Sequence, residues 1–107
     1  MTFNRKGWTA KATPVAESGQ GFPAGSRVWG YAKGGEAAFI YLAPDGRIGG
    51  HVVGLLSVGG DTLDAVALSA EHYAEENRDY RRRLPPGSWG DADRRMSGPK
   101  VAAFLAT

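Results

Sequence analysis

The stretch 61–84 is bracketed by Gly59-Gly60 and Pro85-Pro86, and it constrains the fold more than any other part of the chain. The glycine pair interrupts whatever precedes it, and Asp61 or Thr62 can accept a hydrogen bond from the first free N–H groups of a helix. The proline pair ends the helix, because proline has no N–H to donate and pushes the residue before it out of the helical region. Within these limits Leu63, Val66, Ala67, Ala70, Tyr73, Ala74 and Asn77 recur at helical spacing, so one face is apolar and mostly small. Arg78, Arg81, Arg82 and Arg83 gather at the C-terminal end, where the helix dipole favours cations. A helix over 61–84 is therefore expected, with an alanine-lined packing face and a basic end.

Upstream of it the pattern is that of strands. Residues 1–6 read as a loose start, and Trp8, Ala10 and Ala12 alternate with polar residues up to Pro14. A loop follows over 17–25, with Phe22 as an anchor. Segments 26–33 and 36–43 flank Gly34-Gly35, a two-residue turn that needs positive φ. Ala43-Pro44-Asp45-Gly46 reads as a type I turn with Gly46 at a left-handed bulge, leading into a third strand over 47–58. Its glycines at 49, 50 and 54 call for a bend or a bulge.

The turns fix the register, and the register fixes the faces. Lys33 falls opposite Glu36, Trp29 opposite Ile40, Leu42 opposite Ile48 and Ile40 opposite Gly50. Directly paired residues share a face. One face then carries Trp29, Tyr31, Ala38, Ile40, Leu42, Ile48 and Val52. The other carries Val28, Gly30, Ala37, Phe39, Tyr41, Gly49, His51, Val53 and Leu55, with Phe39 placed over Gly30 and Tyr41 over Gly49. Both faces are apolar, and a single helix covers only one. After Pro86 the chain reads as a loop over 85–99 with Trp89 as an anchor. Segment 100–106 (KVAAFLA) suits a short strand or a short helix, and its apolar run favours the strand.

Composition bounds the function. One domain of 107 residues buries one core. With no cysteine there is neither a disulfide framework nor a thiolate-ligated metal, and two distant histidines do not make a metal site. No apolar run reaches the roughly 18–20 residues of a membrane span and no leader pattern is present, so a cytoplasmic protein without membrane contact is expected. A net charge of +2 is too small for a polycation, so nucleic-acid binding would have to rest on a local patch.

Two regions stand out as candidates for function. The second sheet face offers Phe39, Tyr41, His51 and Val53 as a contact surface for a second copy or a protein partner. The helix end offers Arg78, Arg81, Arg82 and Arg83, more arginines than dipole compensation needs. Other signals are weaker. Gly59-Gly60-Asp61-Thr62 lacks the spacing of a phosphate-binding turn. His72 and Glu76 form an i, i+4 pair with no third ligand. His51 has no nucleophile or carboxylate assigned to work with it. No catalytic residue, cofactor or metal is expected.

Segment 26–53, with GFPAGSRV, the Gly-Gly hairpin and PDGRIGG, resembles the middle of an SH3-like small barrel. The resemblance covers about a quarter of the chain. The strand-rich first half followed by a helix also resembles the Whirly kind of single-stranded-DNA-binding sheet by element order. Neither resemblance assigns functional residues. The expected fold is α+β: a strongly bent antiparallel sheet of four or five strands, open or closed as an SH3-like barrel, with the long helix on its Trp29/Ile40/Leu42 face. The expected function is non-enzymatic binding, by self-association or docking on a protein partner. The alternative is nucleic-acid binding, with arginines on phosphates and aromatic side chains on bases.

Overall fold

A computed structural model describes residues 3–19, 21–53, 56–83 and 98–107. Five strands follow one another as a meander: β1 (Trp8–Ala10), β2 (Arg27–Lys33), β3 (Glu36–Leu42), β4 (Ile48–Val52) and β5 (Leu56–Val58). They form one antiparallel sheet in the order β1-β2-β3-β4-β5. Two helices complete the described fold, α1 (Leu63–Arg82) and α2 (Gly98–Leu105).

The turns fold as their residues dictate. Gly34 and Gly35 take φ of +62° and +84°, and Gly46 takes +91° in the turn after β3. Asp45 accepts the Arg47 backbone N–H at 3.0 Å, which fixes that turn from its own side chain. The resulting register matches the expected one pair for pair, Lys33 with Glu36, Trp29 with Ile40, Leu42 with Ile48 and Ile40 with Gly50.

Helix α1 is capped by Thr62, whose hydroxyl accepts the Ala65 N–H at 3.1 Å. It lies on the Trp29/Ile40 face. Val66, Ala67, Ala70 and Ala74 are buried there with Trp29, Ala38, Ile40 and Val52. The alanines let the helix backbone approach, and each large side chain enclosed contributes about 1.5–3 kcal/mol. Gly50 belongs to the same contact. A Cβ at Gly50 would lie 2.5 Å from the Phe39 carbonyl oxygen and 3.0 Å from a Val66 methyl. The N-terminal segment closes this layer, with Phe3 edge-on to Trp29. Glu71 ties it down, accepting from Arg5 Nε at 2.5 Å and Trp8 Nε1 at 2.7 Å.

The expected α+β fold is present, with one alternative decided and two expectations corrected. First, the sheet does not close into a barrel. Each face is covered by a helix, and the edge strands β1 and β5 are only three residues long. Second, 47–58 is not one strand. The chain turns back after Val52, and β5 pairs with β4 through Gly50↔Val58, His51↔Ser57 and Val52↔Leu56. Third, segment 100–106 lies mostly within α2, a helix, not a strand. Val101 and Leu105, four residues apart, bury on the second face, with Phe104 half-buried beside them. No free sheet edge is used to take the segment as a strand. Gly30 supplies a bare patch of backbone instead, and a Cβ there would meet Leu105 at 2.9 Å and Phe39 at 3.1 Å. The C-terminal end of α2 is tied to the segment after β1, because Ala12 N–H donates to the Leu105 carbonyl at 2.7 Å.

Two outcomes follow for stability. Gly50→Ala places a methyl against backbone, and Gly30→Ala places one against movable side-chain ends. Urea unfolding should therefore show both destabilised within about 1–3 kcal/mol, with Gly50→Ala the larger loss. Glu71 has two opposing influences. Burial would raise its pKa, but the hydrogen bonds from Arg5 and Trp8 outweigh it and hold the carboxyl below its ordinary value. Its contribution is thus complete above the unfolded-state value and is lost as pH falls through the lower folded one. Glu71→Gln should flatten the loss of stability measured below about pH 4.5.

Candidate functional site

The second sheet face is apolar as expected, and it is covered from within the chain. Phe39 is only 3% exposed. Phe22, from the 17–25 loop, meets it edge-on at 5.9 Å between ring centroids, and Phe104 from α2 does so at 5.5 Å. Val53 packs on the rim of this cluster. Phe39 is therefore a core ring and not part of an open docking face. The aromatic rings do lie over glycine. A Cβ at Gly30 would be 3.1 Å from Phe39, and one at Gly49 would be 2.7 Å from the Tyr41 hydroxyl.

What stays accessible of the expected face is the Tyr41, Gly49 and His51 side of a groove of about 440 Å³, which Ser57 and, from the α1 side, Ile48, Gly50 and Val58 also line. Folding β5 back is what brings Ser57 opposite His51. No acidic side chain lines the groove among the described residues, and no hydrogen bond joins the side chains of Tyr41, His51 and Ser57. His51 is half-buried against Phe22 at 5.3 Å, and burial pushes its pKa below the ordinary histidine value. Burial therefore favours the neutral ring.

The arginine end of α1 stands elsewhere. Asn77 Nδ2 donates to the buried Glu36 carboxylate at 2.9 Å, and Arg78 packs against Gly34 at the tip of the β2–β3 hairpin. The helix therefore runs off the sheet beside that tip, on the face opposite the Tyr41–His51 groove. The two candidate regions do not form one surface. The Arg78 side chain is only 20% exposed and lies 3.5 Å from Glu75 and 3.9 Å from Asp79. Arg83 is exposed, and the side chains of Arg81 and Arg82 lie outside the described residues, as do Leu55, Trp89, Arg94 and Arg95.

The sequence reading missed the outer flank of α1. Tyr73 was expected in the packed stripe, yet it is 38% exposed, and Tyr80 is 50% exposed. Leu68, at 59%, completes the exposed large hydrophobic side chains among the described residues, and all three belong to α1. Tyr73 sits at the margin of the packed arc, on the flank away from Glu71 and its partners Arg5 and Trp8. Its partner in sequence is Tyr80, seven residues on, with Glu76 and Arg83 three residues after each tyrosine. That spacing was available as a signal. His72 Nε2 and Glu76 form an exposed pair at 3.2 Å, as the i, i+4 spacing implied.

The chain matches no family model, no curated protein and no solved structure. Among the described residues no helix is long and apolar enough to cross a membrane, and no group of three or more acidic, histidine or cysteine residues is placed to hold a metal ion.

His51 supplies a check on this geometry. An NMR pH titration should show its ring protons titrating below about 6.5, and Phe22→Ala, by admitting water, should return the midpoint toward that value. Because the folded-state pKa is the lower one, His51 costs stability as pH falls from the unfolded value to the folded value. That loss should shrink in Phe22→Ala.

Proposed function

We propose that this chain is a small non-enzymatic binding protein that docks on a protein surface through the outer flank of α1. One observation carries the reading. Two helices and the Phe22 loop cover both apolar faces of the sheet, while the exposed large hydrophobic side chains among the described residues remain on α1. Tyrosine is suited to such a surface, because it adds a large rigid apolar area and a hydroxyl at little entropic cost. Tyr73 and Tyr80 are the centre of the surface, with Glu76 and Arg83 as its charged rim.

Nucleic-acid binding draws less support. Phe39 is enclosed, Arg78 is mostly buried with Glu75 and Asp79 beside it, and Arg5 and Arg47 are paired with Glu71 and Asp45. The described cations are spread over the surface and do not gather beside an open aromatic platform.

Replacing Tyr73 and Tyr80 together by Ser should leave the chain folded with a modest loss of melting temperature, since neither ring belongs to the buried core. A photo-crosslinking residue at position 80 should capture a protein, and one at position 41 should not. Capture at 41 alone would reject the α1 surface. Oligonucleotide binding that is tight at low salt and falls steeply with added salt would favour the nucleic-acid reading instead.

A further inference from the structure

Building on that docking surface, we infer that its partner is a second copy of this chain, seated helix to helix in an antiparallel pair. The outer flank of α1 repeats every seven residues, with Val66, Tyr73 and Tyr80 in one position and Ser69, Glu76 and Arg83 in the position three residues later. Val66 is turned into the core, so among the described residues the free seam runs from Ser69 to Arg83, the residue just past α1, about 21 Å at 1.5 Å per residue. Arg78 does not obstruct it, since its side chain is laid against Gly34 on the sheet side.

The seam is self-complementary in one orientation. In an antiparallel pair the two heptad positions face each other, and a two-fold axis level with residue 78 sets Tyr73 against Arg83 of the second copy. The same axis sets Glu76 against the second copy's Tyr80. A guanidinium over a tyrosine face is attractive, and a tyrosine hydroxyl can donate to a carboxylate. Glu76 and Arg83 of opposite copies then occupy adjacent layers, roughly 5 Å apart along the axis, twice by symmetry. A parallel pair would instead set Glu76 beside Glu76 and Arg83 beside Arg83. The order of the charges along α1, acid before base, thus selects the antiparallel mate. One helix seam covers less than the roughly 800 Å² per partner of a standard interface, so the dimer is weak and forms reversibly at high protein concentration.

The test is sedimentation velocity on the full chain over a concentration series to about one millimolar, a range suited to weak complexes. The parent should show a reversible rise in mean mass toward dimer. Glu76→Arg alone and Arg83→Glu alone should each weaken association about ten-fold, because each juxtaposes like charges. An equimolar mixture of the two variants should recover the parental association, since every cross-seam contact is then of opposite sign. Circular dichroism checks that each variant is folded. A parent that stays monomeric throughout, or single variants that associate as the parent does, would overturn the second-copy inference. A monomeric parent whose position-80 crosslinker captures a different protein rejects the second copy and leaves the docking reading intact. A monomeric parent with no capture at position 80 rejects both.

Discussion

A sheet that is apolar on both faces has to be covered twice, and the architecture of this protein follows from that requirement. Phe39 and Ile40 are neighbours in β3, point to opposite sides, and are both almost fully buried. Exposing either row would forfeit about 1.5–3 kcal/mol for each large side chain. Helix α1 meets the need on one side by bringing small residues to a bulky sheet. On the other side the sheet is lowered at Gly30, and α2 and Phe22 bring the bulk. The two solutions are complementary: alanines on the helix in the first layer, glycine in the sheet in the second.

That double covering decides which of the expected surfaces stay open among the described residues. The aromatic face that looked like a contact surface becomes interior, leaving the Tyr41–His51–Ser57 groove as its accessible remnant. The arginine end loses Arg78 to Glu75, Asp79 and the hairpin tip. Among the described residues, the large hydrophobic side chains left in solvent are Leu68, Tyr73 and Tyr80, all on α1. The edge strands are short as well, since β1 and β5 offer only three residues each for strand addition.

Polar anchors hold the two layers in place. Glu71 joins α1 to the N-terminal segment through Arg5 and Trp8, and Glu36 is buried against Asn77. Neither carboxylate announced itself in the sequence. Each lies far along the chain from its partner, and a charged residue with a distant partner has the same local pattern as a solvated one. The same blindness applies to Ser57, which meets His51 only because the chain reverses after Val52.

Local chemistry alone determined the central hairpins. Gly34-Gly35 and Pro44-Asp45-Gly46 admit few backbone paths, so the register of β2, β3 and β4, the two faces, and the cover of Gly30 and Gly49 by Phe39 and Tyr41 could be read from spacing. The start of α1 was legible for the same reason, in Thr62 and the glycine pair, while the proline pair expected to end it lies outside the described residues. Tertiary structure decided the rest. A short apolar run such as Val101–Leu105 suits a strand or a helix equally, and the bare backbone at Gly30 selects the helix by giving Leu105 a seat. Whether 47–58 ran straight depended on whether the sheet needed a fifth strand under α1. Tyr73 depended on where the packed arc of α1 ended. The sequence dictates a periodicity, but the area available to bury each residue is set only when the layers meet.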